Sequence, residues 1–185
     1  MKVAMCIKLK EQMGVSNIHA REEEILSIIW NKIEPLNNVH ILAKEHKKRL
    51  GIVSFYIDGL HYNVAVKMLN DRFGIQTRGG CSCAGTYGHY LLDVSQESSK
   101  DMANKIRFGD CSTRPGWIRM SIHPTTTDKE VEQLINGITE LALNHKDWIK
   151  DYEIDYAKGI IQHKDKLKDS SLKLKMDHLL ESAFD

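Results

Sequence analysis

The chain of 185 residues carries 26 Lys and Arg against 25 Asp and Glu, a formal net charge of +1, and 42% of its residues are apolar. This composition is typical of a globular domain, and the balanced charge gives no global field that favours nucleic acid or an anionic membrane. The longest apolar runs are too short to span a bilayer, and charged residues interrupt the first apolar segment, which excludes a signal peptide. With four cysteines and no export signal, we predict a cytoplasmic protein with free thiols.

The first half of the chain alternates helical and strand-like patterns. In the second helix Ile25, Ile29 and Ile33 recur at helical spacing, and Gly74 follows the third helix as a C-cap. The predicted elements are a helix at 2–13 ending at Gly14, a helix at 19–38, strands at 39–44 and 52–58, a helix at 61–73 and a short strand at 75–78.

The second half begins with a loop containing Cys81 and Cys83, followed by a polar helix and turn over 95–116 and a strand at 117–122. The clearest helix comes next, because Thr127 and Glu130 form a capping box ahead of a continuous apolar stripe. Beyond it the sequence is mixed and then highly charged.

This order of elements predicts an α+β fold, in which helices pack on one face of a small, mostly antiparallel sheet. We divide the chain into a helical segment at 1–38 that leads into the small domain, the α+β domain itself at 39–146, and a C-terminal extension or tail at 147–185. For residues 164–185 the simplest expectation is a solvated helix.

The two cysteines of the loop allow several interpretations. A zinc site needs four ligands, and Cys111, His89 and His61 are candidate partners, although no spacing requires them. A Cys-x-Cys disulfide closes a small, strained ring and is labile at best. Alternatively, both thiols are small, partly buried residues of a glycine-rich loop.

A reactive thiol is the fourth interpretation, and it requires a lowered pKa because the thiolate is the nucleophile. Arg78 lies near in sequence, and residues after Cys83 can begin a helix whose amides face the thiol. Glycines at 79, 80 and 85 permit the loop to move.

Four stretches carry a resemblance to a known superfamily. They read REEEILSIIWNKIEPLNNVHIL, GIVSFYIDGLHYNVAVKMLNDRFGIQTRGG, CSCAG and GWIRMSIHPTTTDKEVEQLINGI. Over residues 2–145 the chain resembles the carboxyl-terminal portion of class V aminotransferase-fold enzymes. This pyridoxal-phosphate (PLP) superfamily includes cysteine desulfurases and selenocysteine lyases.

The resemblance implies a role for individual residues. Cys83, followed by alanine, matches the desulfurase cysteine that takes the substrate sulfur as a persulfide and releases alanine. Arg119 matches the arginine that binds the substrate α-carboxylate, a task suited to its planar fork of donors. Arg78 is expected to support the loop. His89 and His123 are candidates for lining the cleft, with an ordinary hydrogen-bonded histidine as the alternative.

The large domain of the superfamily, with the Schiff-base lysine and phosphate-binding residues, has no counterpart among these motifs. In the superfamily the Schiff-base lysine often follows a histidine. Three His-Lys pairs, at 46–47, 145–146 and 163–164, share this sequence but lie outside the large-domain context of that lysine. We therefore expect a C-terminal fragment that binds no PLP by itself and needs the missing PLP-binding large domain as its partner. Its unpaired first helix is expected to leave an apolar patch, with some tendency to self-associate, and a homodimer is one possible form.

Two other functions remain open at this stage. One is a stand-alone metal or redox module built on Cys81, Cys83 and Cys111, and the other is a non-catalytic interaction domain. The substrate is also open between cysteine, selenocysteine and another amino acid. Ser82 stands where desulfurases carry a histidine or similar residue, and the desulfurase-like Ala-Gln-Pro after the cysteine is absent.

Overall fold

The computed structural model describes residues 1–81 and 85–165. Its helices are α1 (Lys2–Met13), α2 (Val15–Ile33), α3 (Tyr62–Phe73), α4 (Gly85–Leu91), α5 (Gln96–Arg107) and α6 (Asp128–Trp148). Its strands are β1 (Val39–Ile41), β2 (Ile52–Ile57), β3 (Arg78–Gly80), β4 (Trp117–Ser121), β5 (Tyr152–Asp155) and β6 (Ile160–His163). Within the described residues, no helix has the length and apolarity that a membrane crossing requires.

Four strands form one antiparallel sheet in the order β1-β2-β4-β3, and β5 and β6 form a separate antiparallel hairpin. At the centre of the sheet Phe55 on β2 lies opposite Ile118 on β4. Because the two central strands are far apart in sequence, the sheet is built from long-range pairs. The predicted α+β class is confirmed.

One face of the sheet carries the hydrophobic core. On β2, Val53, Phe55 and Ile57 are buried, whereas the alternate residues are only partly so. This alternation follows from the two-residue period of a strand. Three helices, α2, α3 and α6, cover this face with an apolar cluster that includes Ile29, Met68 and Leu141. The isoleucine period that predicted α2 therefore marks the buried side of that helix.

Helix α3 has defined signals at both ends. The His61 side chain accepts a hydrogen bond from the Asn63 N–H at the N-terminus, and Gly74 adopts a left-handed conformation at the C-terminus. The Ile75 N–H then bonds to the Leu69 carbonyl, which completes a Schellman-type cap. Residues 74–77 after this cap do not form a strand, and β3 begins only at Arg78. The strand predicted at 75–78 is therefore wrong in position.

Helix α6 confirms the predicted capping box. The Thr127 hydroxyl accepts from the Glu130 N–H, and the Glu130 carboxylate accepts from the Thr127 N–H at 2.8 Å. The hydrogen bond from the Thr127 backbone lowers the pKa of the Glu130 carboxyl. The cap fixes where α6 begins, at Asp128, after the turn that follows β4.

Helices α1 and α2 are separated only by Gly14, which has a φ of 80°. Helix α2 therefore begins at Val15, earlier than the predicted start at His19. Helix α1 has no buried residue, and Val3 and Met5 are 73% and 65% exposed. The first helix thus exposes several apolar side chains, and the apolar patch stays a prediction.

The β5–β6 hairpin lies within the segment that we treated as an extension. It packs on the core through Tyr152, Ile154 and Ile161. Arg72 on α3 contacts the segment just before the hairpin, because one of its guanidinium nitrogens lies 2.6 Å from a carboxylate oxygen of Asp151. The same guanidinium lies over the Trp148 ring of α6, with its Cζ 4.3 Å from the ring centroid. The hairpin is therefore part of the folded unit; residues 166–185 of the predicted tail lie outside the described residues.

Candidate functional site

The second face of the sheet carries two arginines side by side. Arg119 on β4 pairs with Ser54 on β2 and with Arg78 on β3 in the strand register. Its neighbours Ile118 and Met120 point into the core and are buried, so Arg119 points to the opposite face. Arg119 is partly buried and Arg78 is exposed. The sheet thus presents two guanidinium groups from adjacent positions.

This pairing is unfavourable for the sheet itself. Like charges directly opposite each other on antiparallel strands destabilise the pair, typically by about 0.2–1 kcal/mol. Over residues 1–81 and 85–165, no acidic side chain forms an ion pair with Arg78 or Arg119. An anion placed at this point would relieve the repulsion, and a carboxylate matches the donor geometry of a guanidinium.

The cysteine loop connects to the same region. Strand β3 ends at Gly80 beside Trp117, the first residue of β4, and α4 begins at Gly85. Cys83 lies outside the described residues, so its role as the reactive thiol stays a prediction. The described ends of the loop are fixed by β3 and α4. A helix does follow the loop, as the sequence indicated.

Helix α4 rests on the second face of the sheet. A Cβ atom on Gly88 would lie 3.1 Å from the Trp117 ring, so the absence of a side chain allows this close approach. Tyr87 and Leu91 of α4 line a cavity of about 440 Å³ together with Ser54 and Trp117. The helix therefore covers part of the face that presents the arginines. The sequence of this seven-residue helix did not predict where it would pack.

The two candidate histidines have local partners. Nδ1 of His89 lies 3.5 Å from the Ser99 hydroxyl, which joins α4 to α5. Nδ1 of His123 lies 2.7 Å from the Thr125 hydroxyl in the exposed turn before α6. Neither histidine lines the cavity beside α4. Their contacts are those of hydrogen-bonded structural residues, and a role in lining the cleft stays a prediction.

The proposed ligands of a metal site do not form a cluster in the described part of the chain. Cys6, Cys81 and Cys111 have free thiols, and no group of three or more His, Cys, Asp or Glu side chains there could hold a metal ion. Cys83 is not among the described residues. A metal site built from Cys81, Cys111 and His61 alone has no support from the geometry.

In the superfamily that the chain resembles, PLP needs a lysine for the imine and an aspartate facing the pyridine nitrogen. Two surface cavities on the described residues, of about 280 and 340 Å³, bring lysines together with glutamates, and neither of these two is lined by an aspartate. Lys47 pairs with Glu34 at 2.8 Å, Lys146 is exposed, and Lys164 donates to the Lys150 carbonyl. The lysines of the three His-Lys pairs therefore do not fit PLP.

A comparison with known families decides the relationship. The sequence model described as aminotransferase class-V matches residues 1–134, which is most of the chain. The chain belongs to the aminotransferase class-V family. The match includes β4 with Arg119 and the cysteine loop, and it ends within α6. The β5–β6 hairpin lies beyond it.

Curated relatives of this class-V chain include two proteins named probable cysteine desulfurase, from Staphylococcus aureus strains COL and MW2. Each is 23% identical over 139 residues, covering 75% of this chain and 28% of the relative. A solved cysteine desulfurase from Thermococcus onnurineus NA1, in its apo form, is similar in fold, with a TM-score of 0.53, 24% identity, 75% of this chain and 29% of that chain covered. The chain therefore spans less than a third of the length of these relatives.

Sequence reasoning missed two features that shape the site. The alternation of Tyr152, Ile154 and Tyr156, ahead of a turn at Gly159, was the available signal for the hairpin. The second feature is the close packing of glycines around the Tyr62 ring, where Cβ atoms on Gly79 and Gly116 would lie 2.8 and 2.6 Å from ring carbons. A sequence pattern does not reveal such tertiary proximity.

Proposed function

We propose that this chain is the substrate-binding portion of a PLP-dependent cysteine desulfurase-like enzyme. Arg119 binds the α-carboxylate of the amino-acid substrate, and Cys83 accepts its sulfur. With cysteine as substrate, the Cys83 thiolate would attack the substrate sulfur, and the C–S bond would break with its electron pair left on the substrate carbon. That carbon would take up a proton and leave as alanine, and the sulfur would remain on Cys83 as a persulfide. The observation that carries the proposal is the pair of arginines without an acidic partner.

Arg119 suits the carboxylate for two reasons. Partial burial removes competing water from the guanidinium and strengthens its interaction with an anion. The strand backbone fixes where the side chain starts, because β4 lies between β2 and β3 in the sheet. Arg78, at the edge, supports the charge of the site and the start of the cysteine loop.

The PLP chemistry belongs to a portion of the enzyme outside this chain. The relatives extend over more than three times the matched length, and the lysines described here do not provide the cofactor site. Helix α1 has no buried residue, and its exposed apolar side chains, such as Ile7 and Leu9 at 55% and 57%, provide a surface for that portion. We propose that the isolated chain is therefore inactive.

Ligand titration tests the carboxylate role directly. We would follow the guanidinium Nε–H signals by NMR while adding alanine, and repeat the titration with alaninamide, which lacks the carboxylate. The Arg119 signal should respond to alanine alone. The backbone amide signals of β4, followed in the same titration, should lose their response in Arg119→Gln and keep a weaker one in Arg119→Lys. Equal shifts with both compounds would contradict carboxylate binding.

Sulfur transfer and cofactor binding need separate tests. A low-molecular-weight persulfide donor should modify Cys83 faster than Cys6, the exposed thiol of α1, as measured by peptide mass spectrometry. Preferential labelling of Cys6 would argue against a sulfur-accepting role for Cys83.

A PLP titration followed by borohydride reduction should give no stoichiometric adduct, and one fully labelled lysine would overturn the assignment of the cofactor site to another portion.

A further inference from the structure

A cavity of about 340 Å³ lies between helix α2 and the segment that joins β1 to β2. Leu26 and Trp30 of α2 line it together with Lys47 and Lys48 of that segment, and we call it the α2 cavity. Its volume is at the lower end of the range typical of small-molecule pockets. It shares no lining residue with the cavity beside α4, so the two are separate places on the surface.

The floor of the α2 cavity is apolar and almost completely buried. Leu26 and Trp30 lie one turn apart on the same side of α2, and each is only 4% exposed. Arg49 lies over the Trp30 ring, with its Cζ 4.9 Å from the ring centroid. Its guanidinium donates to three backbone carbonyls of the segment between β1 and β2. The ring is therefore held by a cation whose donors are in use, and it offers a fixed apolar surface.

The indole N–H of Trp30 is a donor without a partner in the described part of the chain. Its Nε1 atom is buried and forms no hydrogen bond to any described residue. A buried tryptophan N–H usually has an acceptor, because an unpaired buried donor costs free energy. Since Trp30 lines the cavity, an acceptor atom of a bound molecule would supply the missing partner.

The exposed lining residues supply a positive charge for the same molecule. Among the described residues, no acidic side chain forms an ion pair with Lys48, whereas Lys47 is paired with Glu34 at 2.8 Å. Glu23 also lines the cavity and carries a negative charge. One available lysine beside a glutamate suits a ligand with a single negative charge and disfavours a polyphosphate.

We propose that the α2 cavity binds a small carboxylate with an apolar body. The apolar body packs on Leu26 and Trp30, a ligand oxygen accepts a hydrogen bond from the Trp30 N–H, and the carboxylate pairs with Lys48. The proposal goes beyond the function proposed above, because none of these residues belongs to the sheet face that carries Arg119.

Titration of the full chain with cyclohexanecarboxylate tests this site. The indole N–H signals of Trp30, Trp117 and Trp148 would be followed by NMR after through-bond assignment. The Trp30 signal should move downfield and saturate, because its proton gains an acceptor, while the other two stay in place. Equal movement of all three signals, or movement of the Trp117 signal alone, would overturn the proposal.

Two further probes separate the charge of the ligand from its apolar body. Cyclohexanecarboxamide keeps the ring and loses the charge, and acetate keeps the charge and loses the ring, so each should bind more weakly than cyclohexanecarboxylate. Added salt should weaken binding of the carboxylate and leave binding of the amide unchanged, because salt screens the ion pair with Lys48. Equal affinity for the acid and the amide would contradict a site for a carboxylate.

Matched variants locate the anionic group. Lys48→Gln should weaken binding of cyclohexanecarboxylate by about two- to fivefold, the effect of one exposed ion pair. Lys44→Gln is the control, because Lys44 is an exposed lysine of the same segment that lines a different cavity, and it should leave the affinity unchanged. Equal losses in the two variants would reject the role of Lys48.

The Arg119→Gln variant separates this site from the one on the sheet. A carboxylate probe can also bind Arg119, so the Trp30 response should persist in Arg119→Gln with the same affinity. Loss of the Trp30 response in that variant would overturn the α2 cavity as an independent site. The alanine titration of Arg119 does not involve Trp30, so either proposal can fail while the other stands.

Discussion

The two faces of the four-stranded sheet differ in what they contribute. The first face packs Phe55 and Ile118 under three helices, with side chains that are almost completely buried. The second face presents Arg78 and Arg119 opposite each other, under a short helix that contacts the sheet through a glycine. The first arrangement stabilises the fold, whereas like charges opposite each other on adjacent strands oppose it. The residues for which we propose a ligand role thus lie on the face that contributes less to stability.

The largest expected effect lies on the first face. Phe55→Ala should reduce the free energy of unfolding by about 3–5 kcal/mol, because it removes a fully buried ring and leaves a cavity. Urea unfolding measures the change. The same substitution at Phe108, which is 87% exposed, is the control and should change little. Similar losses at both positions would contradict the description of the core.

The contact of α4 with the second face should give an intermediate effect. In Gly88→Ala the new methyl group meets the buried Trp117 ring, and overpacking of this kind costs about 1–3 kcal/mol. Amide hydrogen exchange in α4 should accelerate. Gly85→Ala is the matched control because open space surrounds that position, and a better helix former should slow exchange there. Slower exchange in both variants would mean that α4 does not rest on Trp117.

Neutralising one arginine should stabilise the protein. Arg119→Gln removes the repulsion with Arg78, so the free energy of unfolding should rise by up to about 1 kcal/mol at low salt. The gain should shrink as salt screens the charges, and Arg119→Lys, which keeps the charge, should show little of it. Thermal unfolding at two salt concentrations measures this. A loss of stability in Arg119→Gln at low salt would show that the arginine contributes to packing instead.

The smallest effect concerns the capping box of α6. Because the Thr127 backbone lowers the pKa of Glu130 in the folded state, the carboxylate stabilises the fold above its unfolded pKa, and this contribution is lost as the pH falls through the folded value. Stability should therefore decline below about pH 4.3. Glu130→Gln should show a smaller decline in the same range. Identical pH dependence in both proteins would exclude this residue as a contributor.

The sequence predicted the first face better than the second. Periodic apolar residues and the Thr127 cap are local signals, and they located α2, α3 and α6 with errors of a few residues at the ends. Arg119 was found through resemblance to a family. Its position opposite Arg78 depends on strand register, and the packing of the β5–β6 hairpin depends on core residues far away in sequence. Both are tertiary arrangements without a local signal.

The register between Phe55 and Ile118 also affects how the chain folds. The two central strands pair only after the whole intervening segment is available, so a large loop must close before β2 and β4 gain their stabilising contacts. During synthesis β2 therefore emerges from the ribosome long before β4, its partner at the centre of the sheet. Proteins dominated by such long-range pairs fold slowly, and their unpaired strands are exposed to aggregation in the meantime. Chaperone dependence of the nascent chain should accordingly end only when residues through β4 have been synthesised.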